Sequence, residues 1–240
     1  MTDPVSVIEK AYAKVNLTLE ILGKRRDGYH DLASVMQTVN LFDTVTVSEA
    51  DSIIVDCDGL EIDTEMNLAT KAATVLKNRT GIRSGAKILI KKSIPVSAGL
   101  GGGSSDAAAT LRGLNQIWKL SLSVDELADI AASVGSDVPF LLRGGTALVR
   151  GRGEEVRQIA PAKISSFLIV TPHVRYRNAL TKTAYAFSRV DESMFTVGNL
   201  THKLAARIAS GGDCPSEFFS ISSRRLPKIF SLDGHLLGIG

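Results

Sequence analysis

Apolar and polar residues alternate over residues 13–21, where Val15, Leu17, Leu19 and Ile21 interleave with Lys14, Asn16, Thr18 and Glu20. A period of two predicts a half-buried strand, and residues 5–9 read as another. Lys14 and Asn16 share the polar face two positions apart, so both side chains can address one ligand; as a pair on a strand they read equally as solvated surface. Short strands follow at 33–39, 44–47 and 52–55. The period then changes. Asn67 caps a helix that turns Leu68, Ala72, Val75 and Leu76 inward and stops at Gly81. Residues 86–92 predict a strand, and Ala107, Ala108, Leu111, Leu114 and Trp118 mark one face of a helix. Ser123-Val-Asp-Glu126 is a capping box for a helix carrying Leu127, Ile130, Ala131 and Val134 and closed by Gly135. Residues 146–149 and 156–159 predict a hairpin around Arg150-Gly-Arg-Gly153. Beyond it, 166–170 reads as a buried strand, Thr181 begins a helix, and 200–209 is a further helix stopped at Gly211.

Between the strand at 86–92 and the helix that follows lies Pro95-Val-Ser-Ala-Gly-Leu-Gly-Gly-Gly-Ser-Ser105, with four glycines in five positions. Gly99, Gly101, Gly102 and Gly103 permit positive φ and a close approach of ligand to bare backbone. Amides there and at the helix N-terminus, reinforced by the macrodipole, suit a phosphate. Ser104 and Ser105 add hydroxyls that can cap the helix or reach a phosphate or its magnesium. The plain reading is a tight strand-to-helix turn, but four glycines exceed what a turn needs. Two familiar templates do not fit: no G-x-x-x-x-G-K-[ST] is present, and a dinucleotide fingerprint counted from Gly99 meets Ser104 where its last glycine belongs.

Two further stretches carry chemistry. The charged, glycine-bounded loop 23–31 presents Tyr29, a ring able to stack on a base, and His30, able to exchange hydrogen bonds with a heterocycle edge. Gly135-Ser-Asp-Val-Pro-Phe140 sets the Asp137 carboxylate between a glycine turn and an apolar segment, as a helix-opening residue ahead of Pro139 or as a reactive acid.

Composition narrows the class. With 240 residues, 44% of them hydrophobic, the chain can bury a substantial core. No run of about 18 apolar residues and no basic-flanked apolar leader is present, so a soluble, cytoplasmic protein without membrane association is expected. Cys57 and Cys214 lack metal spacing and read as reduced thiols, and no metal site is expected from protein ligands. A net charge of +3, scattered along the chain, argues against a nucleic-acid partner.

The stretch 95–105 resembles the P-x-x-x-G-L-G-x-G-S-S loop of the superfamily named for galactokinase, homoserine kinase, mevalonate kinase and phosphomevalonate kinase, in which Pro95, Val96, Ser97, Ala98, Gly99, Leu100, Gly101, Gly102, Gly103, Ser104 and Ser105 would wrap ATP phosphates. Gly135-Ser-Asp-Val-Pro-Phe140 is similar to its G-x-D-V-P-F motif, which makes Asp137 the catalytic carboxylate. Ala11-Tyr-Ala-Lys-Val-Asn-Leu17 followed by Asp27-Gly-Tyr-His30 resembles one branch, the 4-diphosphocytidyl-2-C-methyl-D-erythritol kinases. That resemblance implies cytosine held by Tyr29 and His30, with Lys14 and Asn16 facing the reacting hydroxyl. It also implies a Thr and an aromatic closing on the substrate, matched to Thr181 and Tyr185, with Tyr176 and Thr183 as competitors.

The implied fold is α+β and two-lobed: an N-terminal ATP-binding domain over 1–160, a mixed sheet with helices packed on it, and a smaller α/β sandwich lobe over 161–240. The superfamily's third motif, S-G-S-G-P-T, is absent, so the C-terminal lobe is expected to be truncated and incomplete. The implied activity is ATP- and magnesium-dependent phosphorylation of the 2-hydroxyl of the cytidyl substrate, by a monomer or homodimer. A homoserine or mevalonate kinase of the same superfamily, and a catalytically impaired nucleotide-binding protein, are the competing expectations.

Overall fold

The computed structural model describes residues 5–58, 67–169 and 186–214, and the backbone of 231–232 and 235–236. Its elements run β1 (Ser6–Lys24), β2 (His30–Ala50), β3 (Ile53–Cys57), α1 (Leu68–Thr80), β4 (Gly85–Lys91), α2 (Gly102–Ile117), α3 (Val124–Val134), α4 (Val138–Arg143), β5 (Thr146–Arg150), β6 (Glu155–Gln158), a single 3-10 turn (Glu192–Met194), α5 (Asn199–Ala209), β7 (Ser231–Leu232) and β8 (His235–Leu236). The architecture is α+β. A six-stranded mixed sheet has the order β3-β4-β2-β5-β6, with β1 paired to β2, and β7 pairs β8 separately. Only β3 and β4 run parallel among the pairs with a defined register, joined through α1 as a crossover requires.

The short strands expected at 5–9 and 13–21 are one continuous β1, and those at 33–39 and 44–47 are one β2. β2 is held on each flank of its turn-like residues: Ser34–Gln37 pairs with β5, Thr38 N donates to the Gly145 carbonyl at 2.9 Å, and Thr44–Ala50 pairs with β4. The strand expected over 166–170 is irregular across its described residues 166–169. There Phe167 packs against a buried cluster while Leu168 is exposed, as a segment without a ladder allows.

The chain divides into two compact units, and they are not consecutive halves. The first comprises residues 1–13, 39–96 and 101–144; the second, 14–38, 97–100 and 145–240. β1 and β2 each run through both.

In the first unit Val45, Val47, Ile88 and Ile90 form the buried face of the β2–β4 pair, and α2 lies on it closely enough that a Cβ on Gly113 would come 2.6 Å from Val47 Cγ2. That approach fixes Gly113 by contact, since its φ is not in the left-handed region. Leu76, Leu111, Leu114 and Phe140 close the core between α1, α2 and α4. α1 begins as expected, with Asn67 Oδ1 accepting from Ala69 N, and the Ser123/Glu126 capping box of α3 forms in both directions. In the second unit Leu17, Val35, Leu148, Leu204, Ala205 and Ile208 make the core. A buried carboxylate, Glu20, accepts the Thr201 N–H at the first turn of α5 and supplies the cap that Gly198 cannot. Among the described residues no helix is long and apolar enough to cross a membrane.

Candidate active site

The glycine-rich stretch leaves β4 and reaches α2 through backbone of alternating hand. Ser97, Gly99 and Gly101 have φ of 58°, 80° and 72°, while Ala98 and Leu100 stay out of the left-handed region. Such alternation turns successive N–H groups toward one concave side, the usual backbone form of an anion site. The fourfold glycine run thus serves two purposes. Gly99 and Gly101 supply positive φ; Gly102 and Gly103 are already helical, as the first two residues of α2. α2 begins earlier than its apolar face alone predicts, with Gly101 as the N-cap and no side-chain cap bond. Neither Ser104 nor Ser105 is the cap. The Ser105 hydroxyl donates instead to the Tyr12 carbonyl of β1 at 2.6 Å, and Lys14 N donates to the Leu100 carbonyl at 2.9 Å. Bare first-turn amides on a 16-residue helix give the positive end of a macrodipole, the arrangement that favours bound phosphate.

Flanking this loop in the chain is a charged cluster that the sequence reading missed. Lys92 Nζ lies 2.5 Å from Asp43 Oδ2 and 2.6 Å from Asp106 Oδ2. Asp43 Oδ1 also accepts from Ser93 N at 2.5 Å and Ile94 N at 2.8 Å. Asp43 is fully buried, and its carboxylate is satisfied by three donors. Asp106 is buried with one oxygen, Oδ1, lacking a hydrogen-bond partner among the described residues. Burial pushes its carboxyl up, Lys92 opposes the rise and Asp43 reinforces it, leaving it at about 7. Burial alone would lower the Lys92 ammonium, but Asp106 and Asp43 outweigh it and raise it. The one available signal was an acid inside the small-residue run Ser105-Asp106-Ala107-Ala108-Ala109, where an unpaired carboxylate would be costly.

Lys14 and Asn16 stand on β1 in the second unit. Lys14 is 4% exposed, and its ammonium donates to Asn16 Oδ1 at 3.2 Å, which keeps both groups together on the polar face their spacing predicts. Asp137, in the first unit, is the N-cap of α4 with Pro139 at the helix start, yet its carboxylate makes no cap bond to the helix.

Tyr29 and His30 sit where β1 turns into β2. Arg25 N donates to the Tyr29 carbonyl at 2.8 Å, Gly28 takes φ of 86°, and the Asp27 carboxylate accepts the Tyr29 N–H, making a tight Asp-Gly turn. The two side chains diverge. Tyr29 is 52% exposed, with the Arg152 guanidinium 5.2 Å from its ring centroid. His30 is 9% exposed and stacks on Phe187, centroids 5.4 Å apart at 28°, with Phe195 edge-on at 6.3 Å. Burial, and then Lys24, lowers the imidazole below its ordinary value, so it is neutral near pH 7. Its Nε2 is buried and has no partner among the described residues. Phe187, Phe195 and Arg152 were not anticipated. Phe187 lies two positions from Tyr185 in a stretch already marked for an aromatic, and Phe195 is brought in because Thr196 N bonds to the Ile21 carbonyl. Thr181 and Tyr185, with Tyr176 and Thr183, lie outside the described residues.

Residues 67–145 match the family described as GHMP kinases N terminal domain. The chain is 47% identical over 188 residues to a 4-diphosphocytidyl-2-C-methyl-D-erythritol kinase of Bacillus pumilus, an alignment covering 77% of this chain and 65% of that one. A protein of the same name from Caldicellulosiruptor saccharolyticus is 48% identical over 187 residues, covering 77% and 64%. The chain thus spans a little under two thirds of these relatives' length. Among solved structures, a 4-(cytidine 5'-diphospho)-2C-methyl-D-erythritol kinase superposes with a TM-score of 0.65 at 28% identity, covering 93% of this chain and 81% of that one. A mevalonate kinase from Methanococcus jannaschii superposes with 0.63 at 15% identity, covering 97% and 82%, and attests to the fold alone.

Proposed function

We propose that this chain, which belongs to the superfamily of GHMP kinases, transfers the γ-phosphoryl group of ATP to the 2-hydroxyl of 4-diphosphocytidyl-2-C-methyl-D-erythritol, a step in the non-mevalonate route to isoprenoid precursors. The observation that carries the reading is the alternation of hand at Ser97, Gly99 and Gly101, running into a helix N-terminus without a side-chain cap. The names of the relatives supply the acceptor.

Phosphoryl transfer asks little covalent chemistry of a protein: positioning, charge stabilisation and late acceptance of the hydroxyl proton suffice. The amides of residues 96–104, within the loop 95–105, receive the triphosphate. Asp137 accepts the proton of the attacking hydroxyl or aims it. Lys14, steadied by Asn16, shares charge with the equatorial phosphoryl oxygens. Magnesium supplied with ATP would offset the negative charge developing on the transferring phosphoryl group. The Ser104 hydroxyl and the Asp137 carboxylate are oxygen donors of the kind it takes. Tyr29 and Phe187 offer faces for the cytosine, and His30, neutral with an open Nε2, exchanges a hydrogen bond with its edge. Thr181 and Tyr185 complete the closure on substrate. We assign ATP binding to 1–160 and the remainder to the C-terminal domain. The two free cysteines accord with a reducing cytoplasm.

The test is ADP release from ATP with the cytidyl substrate, run beside homoserine and mevalonate. Release with the first alone is expected. Release with either of the others, or with none, overturns the assignment.

A further inference from the structure

The two stems of the glycine-rich loop are tied to each other through a side chain. Lys92 follows β4 directly and Asp106 lies in the second turn of α2; their 2.6 Å ion pair spans residues 93–105. On the same side, Asp43 fixes the outgoing stem through Ser93 N and Ile94 N and holds Lys92 from below. The remaining span, 95–101, thus begins and ends at immobilised points. Gly102 shows how tight the tie is: a Cβ there would stand 3.2 Å from Ile94 Cγ2 and 3.3 Å from Lys92 Nζ. Its φ is not left-handed, so glycine serves at 102 to make room for the ammonium, unlike Gly99 and Gly101.

We infer that Lys92, held by Asp43 and Asp106, is a positioning residue for the phosphoryl donor: it staples the stems so that the amides of 96–104 stand preorganised before any anion arrives. The energetic argument is one of timing. A flexible loop orders its backbone at the cost of binding energy, whereas a stapled loop has met that cost on folding. A buried ammonium between two buried carboxyl groups is expensive to assemble, and removal of Lys92 leaves the Asp43 carboxylate uncompensated, so the cluster is an unfavourable way to obtain stability alone. Its return is a fixed geometry.

The inference about donor affinity rests on the proposed kinase reading; the inference about loop order does not, and the experiment separates them. Amide hydrogen exchange is followed by mass spectrometry on the nucleotide-free full chain and on Lys92→Met, Lys92→Arg and Gly102→Ala. Peptides covering 95–105 are compared with peptides of α3. In Lys92→Met, loop exchange is expected to accelerate about tenfold or more with α3 little changed. Lys92→Arg should restore most of the protection. Gly102→Ala, which removes no charge but displaces the ammonium, should reproduce part of the loss. In steady-state kinetics the KM for ATP should rise about tenfold in Lys92→Met while the KM for the cytidyl substrate holds. Loop protection unchanged in Lys92→Met and Gly102→Ala overturns the staple. So does acceleration shared equally by α3, which would mark a general loosening. Loop acceleration with no change in the KM for ATP overturns the positioning role. Loop acceleration in a chain that binds no ATP even as wild type overturns the kinase reading and with it the positioning role, leaving the staple.

Discussion

The glycine-rich loop and the aromatic cluster around His30 are built on opposite principles. In the loop the proposed binding groups are backbone amides, set by positive φ at three alternate residues, while Lys92, Asp43 and Asp106 pair with one another at its ends. In the proposed base site the binding groups would be side chains: His30 against Phe187 and Phe195, and Tyr29 beside Arg152. A backbone site recognises what all phosphates share; a side-chain site can select one base. The two also respond differently to change. A backbone site is damaged through conformation, and a side-chain site through the loss of a single group.

The comparison is most sharply divided by substitutions whose effects should not cross. Gly101→Val places a β-branched residue at φ of 72°, where strain of about 1–2 kcal/mol is expected, and distorts the amides before α2. ATP affinity should fall at least tenfold by calorimetry, with cytidine nucleotide affinity intact. Tyr29→Ala removes an exposed ring and should weaken cytidine nucleotide binding about fivefold to tenfold, with little change for ATP and under about 0.5 kcal/mol in stability. Either variant weakening both ligands equally would dissolve the distinction.

The pH responses should differ too. His30 is lowered in the folded chain by burial and by Lys24, so its neutral form prevails near pH 7 and protonates only as pH falls below its ordinary value of 6.5. The KM for the cytidyl substrate should be flat above that pH and climb below it, and His30→Gln should level the profile. Asp106 is raised, from 3.8 to about 7, so between those values the folded chain holds a proton that the unfolded chain releases. Its contribution to stability therefore declines as pH rises through that window. Asp106→Asn cannot ionise, and the Tm of this variant relative to wild type should rise from pH 4.5 toward pH 7.5, a modest change of a few degrees.

This division also explains what was legible in the chain. Backbone sites are contiguous, so residues 95–105 could be read as a motif, and the capping of α1 and α3 followed from Asn67, Ser123 and Glu126 because caps are local. Strand lengths were not local. Thr38, Asn40 and Asp43 look like turn residues, and Thr38 is kept in β2 by a residue more than a hundred positions away, the Gly145 carbonyl that accepts its N–H. The staple was hidden for the same reason: Asp43, Lys92 and Asp106 are three ordinary charges until β2, β4 and α2 are assembled. Phe187 and Phe195 needed the turn at 192–194 and its bond to Ile21 before either could meet His30.

Asp137, an N-cap without a side-chain cap bond, is the residue proposed to accept or aim the hydroxyl proton. Phosphorus NMR of the products formed from ATP and 4-diphosphocytidyl-2-C-methyl-D-erythritol tests the account most directly. Wild type should yield ADP and one new phosphomonoester on the 2-hydroxyl, with Asp137→Asn slower by about a thousandfold. Absence of that phosphomonoester with wild type, or its formation at an unchanged rate with Asp137→Asn, would contradict it.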